Sequence, residues 1–287
     1  MSIPFLKMHG LGNDFVVLDA RESKIALSDA LLRALADRRR GIGCDQVIVI
    51  EPPGLGGDAR VRFWNGDGSE SGACGNGSRC VAALLMSESG KPMARLETEG
   101  GILGCALQGD GLVTVDMGKP KFDWQDIPLA ERMDTRILDL RLGPIDNPVL
   151  IGPTAVSMGN PHCIFFVDNI DTHDLARFGP LVENHPLFPE RANVSLAQVT
   201  SPGSLRLKVW ERGAGLTQAC GTAACASAVA AARLKHTGRA VDVTLPGGVL
   251  GITWRERDDH VLMTGPVAAV FSGSFDPEML VPDEVTA

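Results

Sequence analysis

Two of the seven cysteines lie in the same tripeptide, Ala-Cys-Gly, at residues 73–75 and 219–221. In both copies small residues follow the cysteine and begin a predicted helix. A helix N-terminus exposes unpaired N–H groups and the positive end of a dipole, which lowers the pKa of a thiol from its usual value of about 8.5. Two such thiols on opposite faces of a carbon atom can invert it, because one thiolate removes a proton and the other thiol donates one. Cys74 and Cys220 are therefore the candidate acid/base pair.

The residues after each cysteine are small enough for a ligand to approach the backbone amides closely. Gly75-Asn76-Gly77 follows the first cysteine, and Gly221-Thr222-Ala223 follows the second. Amides at a helix N-terminus are suited to bind a carboxylate. Removal of a proton next to that carboxylate leaves an unstable carbanion, which amide donors and exclusion of water would have to stabilise. The chemistry indicated is epimerisation at the α-carbon of an amino acid.

The other cysteines give no sign of a metal site or a second reactive pair. Buried, inert cysteines are common, and we assign that role to four of them: Cys80, Cys105, Cys163 and Cys225. Five residues separate Cys74 from Cys80, too many for the short Cys-x₂₋₄-Cys knuckle typical of zinc sites. Four residues separate Cys220 from Cys225, but no second pair of this spacing completes a site, so no metal is expected. Cys44 is either a further oxidisable thiol near the site or a packing residue.

The chain contains two copies of one plan. The tripeptides are 146 positions apart, and five further blocks repeat in the same order at offsets of 146 or 147. We predict an N-terminal domain at residues 1–120 that carries Cys74, and a C-terminal domain at 121–266 that carries Cys220. Residues 267–287 are expected to pack back on the first domain. The blocks include Gly12-Asn13 over Gly159-Asn160, Gln46 over Asn193, and residues 61–64 over 207–210.

The predicted elements place each cysteine at the start of a buried helix. Residues 75–87 and 221–236 are apolar nearly all round, which is typical of a helix enclosed by other structure. A further helix is predicted from Ser28, ended by Gly41. β-branched and alternating runs predict strands at 15–19, 46–50, 60–65, 112–117, 164–168, 194–199, 205–211 and 240–245. The fold class expected is α/β (α+β), with two pseudo-symmetric domains, strands around one central helix in each, and a site in the interdomain cleft.

Composition limits the classes of partner. The 287 residues are 44% hydrophobic and 22% charged, with a net charge of −8, which is typical of a globular protein. A negative surface disfavours binding to nucleic acid or anionic lipid. The sequence has no apolar run of membrane-spanning length and no signal-peptide pattern, so we expect a cytoplasmic protein with reduced thiols.

Several longer motifs resemble the diaminopimelate epimerase family, and together they extend over nearly the whole chain. The family interconverts L,L- and meso-2,6-diaminopimelate on the bacterial route to lysine and peptidoglycan. The resemblance implies a small-molecule substrate, no pyridoxal phosphate, no metal, and two mirrored α/β domains, each a barrel-like, mostly antiparallel sheet around a helix. The matching stretches are residues 8–15, 65–70, 74–80, 158–163, 189–193, 211–215 and 220–222.

The resemblance also assigns roles by position. Cys74 and Cys220 are the acid/base pair, and His162 and Glu211 tune their pKa values. Phe271 stands where some relatives carry Tyr at a dimer interface, so a homodimer is expected. The residues implied in substrate binding are Asn13, Gln46, Asn65, Gly75, Asn76, Asn160, Asn193, Glu211, Arg212, Gly221 and Thr222.

Physical chemistry supports these roles unequally and leaves alternatives open. The fork of Arg212 suits a second carboxylate, but the residue can also form a surface ion pair. The four asparagines lie near glycines and can also be turn residues. A proline or hydroxyproline racemase of the same fold is the nearest alternative function. A thiol hydrolase would need only one cysteine, and an amino-acid-binding protein would need neither.

Overall fold

The structure, a computed structural model, describes residues 2–72 and 74–281. The described chain divides into two compact units. The first unit contains the residues up to Val115 together with those from Gly265 onward, and the second unit contains Asp116–Thr264. The boundaries predicted from the repeat were 120 and 266. Residues 282–287 of the predicted C-terminal segment lie outside the described residues.

The elements are numbered here in chain order. The helices are α1 (Asp29–Ala36), α2 (Gly75–Ser89), α3 (Leu175–Glu183), α4 (Gly221–Arg233) and α5 (Pro277–Leu280). The strands are β1 (Ile3–Gly10), β2 (Asn13–Asp19), β3 (Gln46–Glu51), β4 (Ala59–Asn65), β5 (Glu70–Ser71), β6 (Met93–Thr98), β7 (Gly101–Leu107), β8 (Val113–Asp116), β9 (Arg141–Leu142), β10 (Leu150–Ile151), β11 (Thr154–Ser157), β12 (Pro161–Phe166), β13 (Asn193–Ser201), β14 (Ser204–Glu211), β15 (Gly215–Thr217), β16 (Ala240–Leu245), β17 (Gly248–Trp254), β18 (Val261–Gly265) and β19 (Ala268–Phe275).

In the first unit a mostly antiparallel sheet surrounds α2. Strands β2 and β3 are parallel, β4 runs antiparallel to β3, and β6, β7 and β8 continue the sheet from β4. β1 pairs with β2 on one side and with β19 on the other. α2 packs against β1, β2, β6 and β7, and ten of its residues are buried, among them the polar side chains of Asn76, Ser78 and Arg79.

The second unit repeats this strand order in the same register. Phe15 of β2 lies opposite Gln46 of β3, and 147 positions later His162 of β12 lies opposite Asn193 of β13. β13 and β14 are antiparallel, β14 and β16 are parallel, and β17 and β18 follow, as do their counterparts in the first unit. α4 packs against six of these strands. The internal repeat of the sequence is thus a repeat of backbone pairing.

Each sheet has a second helix on its other face. In the first unit, Val47 and Val49 of β3 share a core with α1, whereas Ile48 lies against the start of α2. In the second unit, Val194 and Leu196 share a core with α3. The predicted class is confirmed: a mixed fold, mostly sheet, with a buried helix in each of two similar parts. Among the described residues, no helix combines the length and apolar character needed to span a membrane.

Two predicted helix ends are wrong. Ser28 does begin α1, since its side chain accepts a hydrogen bond from the Leu31 amide, but the helix ends at Ala36 and not near Gly41. The backbone of Asp37 leaves the helical region, with ψ of 116°. Its carboxylate accepts hydrogen bonds from the backbone amides of Arg39 and Arg40. A short polar side chain that binds nearby amides competes with the helix. α4 ends at Arg233, three residues before the predicted end.

Candidate active site

Cys74 is the N-cap residue of α2. Its backbone is extended, with φ of −140° and ψ of 109°, and its Sγ accepts a hydrogen bond from the Gly77 amide at 3.4 Å. A helix start leaves four amide groups without partners inside the helix. The sulfur takes one of them, and Gly75 and Asn76 supply the first two amides of this turn. The thiol therefore lies where the dipole and amide donors of the helix favour negative charge.

The first turn of α2 is seated directly on the sheet. A Cβ atom added to Gly77 would lie 2.8 Å from Ile48 Cδ1 and 2.9 Å from Phe63 Cε1. Neither contact is compatible with a side chain, so glycine allows the turn to lie against β3 and β4. The position of Cys74 thus depends on how closely the next turn of backbone approaches two buried side chains.

Asn13 and Asn76 lie beside the Cys74 thiol. Asn76, 2% exposed, donates from Nδ2 to Asn13 Oδ1 at 3.2 Å. The same oxygen accepts a weak hydrogen bond from the Cys74 thiol at 3.9 Å. Asn13 Nδ2 points the other way and donates to Asp45 Oδ2 at 2.9 Å. The structure therefore brings together three of the residues predicted for the first half of the site.

A second amide pair follows on the neighbouring strands. Gln46 Nε2 donates to Asn65 Oδ1 at 2.8 Å, and Asn65 Nδ2 donates to Ser69 Oγ at 3.1 Å. Within the described part of the chain, Gln46 Oε1 is a buried oxygen that lacks a hydrogen-bond partner. A buried acceptor without a donor is costly, and it is satisfied when a ligand supplies an N–H group.

A group of ion pairs lies next to Asn13, on the side remote from Cys74. Asp14 forms ion pairs with Lys7 at 2.6 Å and with Arg38 at 2.7 Å, and Arg38 also forms one with Asp45 at 2.7 Å. Burial alone would raise the pKa of Asp14, but the hydrogen bonds from Arg38 and Lys7 bring it well below its usual value. Arg38 thus joins two carboxylates just beyond the end of α1.

Cys220 occupies the equivalent position in the second unit. It is the N-cap of α4, with φ of −118° and ψ of 108°, and it is only 5% exposed. Its sulfur lies 3.6 Å from Thr222 Oγ1, and Gly221 begins the helix. Burial, followed by the negative charge of Glu211, raises the pKa of the Cys220 thiol well above its ordinary value. At neutral pH this cysteine is a thiol, despite its place at a helix N-terminus.

His162 reaches Cys220 through two intermediate side chains. Asn160 Nδ2 donates to Thr222 Oγ1 at 3.3 Å, and Asn160 Oδ1 lies 2.9 Å from His162 Nε2. The ring is 0% exposed, and burial followed by the positive charge of Arg212 lowers the pKa of His162 to about 3. The neutral ring carries its proton on Nε2, because Asn160 Oδ1 can only accept. The Nδ1 atom is buried without a partner among the described residues.

Glu211 and Arg212 lie at the end of β14. The Glu211 carboxylate accepts a short hydrogen bond from the Thr217 hydroxyl. The Arg212 amide donates to Asn193 Oδ1 at 3.0 Å, and its guanidinium donates from Nη1 to the Glu190 carbonyl at 2.8 Å. Asn193 Nδ2 in turn donates to the Pro161 carbonyl at 3.0 Å. Asn193 thus ties the Arg212 turn to the strand that carries His162.

A buried carboxylate secures the same turn from the other side. Glu183 of α3 accepts hydrogen bonds from Trp210 Nε1 at 2.7 Å and from the Gly213 amide at 2.9 Å. Arg191 Nη1 lies 3.4 Å from Glu183 Oε1, the same oxygen that accepts from the Gly213 amide. The amides on both sides of Arg212 are therefore fixed, which holds the backbone of a residue whose side chain is long and mobile.

The sequence prediction missed several supporting residues. Asp45 and Thr217 each contact a residue assigned to the site, and Glu183 binds the Gly213 amide next to Arg212, yet none of the three lies in a repeated block. The adjacency of Asp45 to Gln46 was the one signal available for it. Phe271, predicted at a dimer interface, lies on β19, 48% exposed, with its ring edge-to-face at 5.9 Å from Phe5.

None of the seven cysteines is joined in a disulfide. Within residues 2–72 and 74–281, no three or more His, Cys, Asp or Glu side chains gather as a metal would need. Each unit offers one thiol at a helix N-terminus, the amides of that helix start, and an asparagine that is hydrogen-bonded to the first turn of the helix.

Comparison with known proteins agrees with this reading. The sequence profile of diaminopimelate epimerase matches residues 5–123 and 154–270. The chain is 56% identical over 275 residues to a diaminopimelate epimerase from Rhodopseudomonas palustris, covering 95% of this chain and 94% of that one. It is 57% identical over 279 residues to one from Afipia carboxidovorans, covering 96% of each.

A solved structure shares the fold at low sequence identity. A hydroxyproline epimerase from Agrobacterium vitis, with bound trans-4-hydroxy-L-proline, superposes with a TM-score of 0.68 at 17% identity, covering 97% of this chain and 93% of that one. This likeness shows the fold alone. The sequence matches go further, since they extend over both units and both cysteines: this chain belongs to the diaminopimelate epimerase family.

Proposed function

We propose that this chain interconverts L,L- and meso-2,6-diaminopimelate without a cofactor, on the route to lysine. The observation that carries the proposal is the duplicated N-cap cysteine: Cys74 begins α2 and Cys220 begins α4, in a chain of this family. Family membership supports the substrate, and the two cysteines support the chemistry.

The proposed reaction moves one proton off the α-carbon and another onto its opposite face. One cysteine, as thiolate, takes the α-proton, and the other, as thiol, protonates the planar carbanion. Each cysteine is the base in one direction and the acid in the other. The mechanism requires Cys74 and Cys220 to lie on opposite faces of the bound substrate. The raised pKa of Cys220 supports a resting state in which this residue is ready to donate.

The helix starts would bind the carboxylate of the reacting centre. The amides of Gly75 and Asn76 begin α2, and those of Gly221 and Thr222 begin α4. A carboxylate gains charge density as the α-proton leaves, so amides placed at its oxygens stabilise the transition state more than the ground state. The thiol and the amides belong to the same turn in each unit, which couples proton transfer to charge stabilisation.

The distal end of the substrate carries a second amino-acid group, and the proposed site offers partners for it. Arg212 supplies a planar fork for a carboxylate. Gln46 Oε1, buried and without a partner among the described residues, would accept from the distal ammonium group, with Asn65 holding the amide in that orientation. Asn193 fixes the turn at Arg212 by accepting a hydrogen bond from its amide, and Glu211 is the residue before it. A ring substrate with one amino-acid group would leave these partners unused.

We also propose that the chain acts as a homodimer in the cytoplasm. The exposed edge of β19, with Phe271 and Val270, is an apolar surface that a second copy would cover. A compartment that keeps thiols reduced suits a mechanism that depends on two of them. Analytical ultracentrifugation of the chain and of Phe271→Asp tests the dimer: the variant should sediment as a monomer, and an unchanged dimer would assign the interface elsewhere.

The reaction itself is tested with purified protein and L,L-diaminopimelate in D₂O, without added cofactor. Proton NMR should show meso product and loss of the α-proton signal as deuterium enters. Exchange with L-proline or trans-4-hydroxy-L-proline, and none with diaminopimelate, would keep the two-thiol chemistry but overturn the substrate. No exchange with any of them would overturn the reaction.

A further inference from the structure

The hydrogen bond between Asn13 and Asn76 does not by itself determine which end of the Asn13 amide faces Cys74. Asn13 and Asn76 can form a hydrogen bond in either of two senses, since each amide has both a donor and an acceptor end. A carboxylate can only accept. Asp45 Oδ2 takes the Asn13 Nδ2 group at 2.9 Å, and this leaves Asn13 Oδ1 as the atom that faces Asn76 and the Cys74 thiol.

Asp45 is itself held rigidly. Its Oδ2 also accepts from the Asp14 amide at 3.1 Å, and its Oδ1 bonds Arg38 at 2.7 Å. Its backbone amide donates to Asp14. The side chain is therefore fixed by one backbone amide, that of Asp14, and by a guanidinium, on the side of Asn13 that is remote from the cysteine.

In the second unit the equivalent asparagine, Asn160, has the opposite orientation. Ala192 stands at the position equivalent to Asp45, so no carboxylate is available there. The neutral ring of His162 donates to Asn160 Oδ1 instead, and Asn160 Nδ2 is turned toward Thr222, the neighbour of Cys220. The asparagine carbonyl thus faces Cys74 in one unit, and the asparagine N–H group faces the Cys220 side in the other.

We propose that Asp45 is a positioning residue that turns the Asn13 carbonyl toward Cys74 and thereby favours the protonated thiol of that cysteine. A carbonyl oxygen accepts from S–H but repels a thiolate, whereas an amide N–H group does the reverse. Asp45 touches neither cysteine, and its effect passes through Asn13 alone. The inference rests on the proposed catalytic role of Cys74, but it is tested on the sulfur itself and not on turnover.

The test is the pH dependence of alkylation at Cys74, followed by mass spectrometry of the peptide after short exposure to iodoacetamide. Asp45→Ala, which places at residue 45 the amino acid found at 192, should move the midpoint at Cys74 to lower pH. The expected shift is about half to one pH unit, the size of one net hydrogen bond. The Cys220 midpoint, read in the same samples, should not move, whereas general loosening of the fold would alter both.

Removal of a negative charge also lowers a thiol pKa, so the direct effect of charge is separated by a double-mutant cycle. Asn13→Ala removes the amide through which Asp45 is proposed to act. In that background, Asp45→Ala should shift the Cys74 midpoint by less than about a third of its shift in the wild-type background. Equal shifts in both backgrounds would show that Asp45 acts by charge alone. No shift in the wild-type background would overturn the proposal equally.

Discussion

His162 and Asn160 form a buried hydrogen bond in which Nε2 of the ring lies 2.9 Å from Oδ1 of the amide. Burial, with the charge of Arg212, lowers the pKa of His162 to about 3, so the folded protein keeps this ring neutral while an unfolded chain would protonate it near pH 6.5. The folded state therefore binds fewer protons than the unfolded state between these values. Stability should be complete above pH 6.5 and fall as the pH drops through this window.

Replacement of His162 should remove part of that pH dependence. Between about pH 7 and 5.8 the histidine should cost about 1 kcal/mol of the free energy of unfolding, and His162→Gln should lack this loss. Urea unfolding at both pH values measures the difference. His236→Gln is the matched control, because His236 is exposed in the same unit. Equal slopes in the His162 variant and the wild type would show that the His162 ring takes up protons equally in the folded and unfolded states.

The two cysteines should be equally indispensable for inversion. Cys74→Ala or Cys220→Ala should lower the rate of meso product formation by at least about a thousandfold, since general acid/base groups contribute typically 10²–10⁴ each. Circular dichroism should show an intact fold. Cys105→Ala, which removes a buried thiol on β7, should retain activity. Inversion at near wild-type rate in either of the first two variants would contradict the two-base mechanism.

Loss of Arg212 should weaken substrate binding more than it slows proton transfer. Arg212→Ala should raise KM about tenfold to a hundredfold, the value of a charged hydrogen-bond pair, with a smaller change in kcat. Steady-state kinetics by a coupled assay or NMR gives both constants. Arg206→Ala on the same strand is the control, because Arg206 bonds Asp171 and Gln198 and no residue of the site. A KM that stays at the wild-type value would reject Arg212 as the distal carboxylate partner.

Because α2 lies so close to the sheet, we expect that Gly77 cannot be replaced by a larger residue without loss of stability. Gly77→Ala would place a Cβ atom 2.8 Å from Ile48 Cδ1 and 2.9 Å from Phe63 Cε1. Such overpacking costs about 1–3 kcal/mol, and the turn would move together with Cys74. Gly104→Ala meets no atom within 4 Å and should be neutral or slightly stabilising. Urea unfolding of the two variants compares them; equal stabilities would mean that the turn has room to shift.

The place of both cysteines at helix N-termini could be predicted from the sequence, because a repeat and a helix start coincide at each of them. The repeat gave the equivalence of Asn13 with Asn160 and of Gln46 with Asn193, and the strands carry these residues in matching register. Strand positions were predicted well where β-branched residues alternate. Predicted and observed bounds agree fully at 240–245.

The supporting contacts could not be predicted, since they join residues distant in sequence. Glu183 binds the Gly213 amide across 30 positions, and Asp45 binds Asn13 across 32. Nothing in the local pattern distinguishes such carboxylates from surface ones. The pKa of Cys220 was expected to be low from its helix position, yet burial and Glu211 reverse the direction. The helix dipole is a modest effect, and desolvation of a buried thiol is larger.

The asparagine near Cys74 is held by charged residues, and the asparagine near Cys220 is held by a neutral one. Arg38 and Asp45, which stand behind Asn13, have side chains that are 56% and 44% exposed, whereas His162 behind Asn160 is fully buried and neutral. Dissolved ions screen exposed charge pairs over about 8 Å at physiological ionic strength but reach buried neutral groups hardly at all. Added salt should therefore weaken the contacts of Arg38 and Asp45 more than the contact between His162 and Asn160. The concentration of a halide or sulfate salt is thus a means to weaken the ion pair that holds Asn13 beside Cys74, without any substitution in the chain.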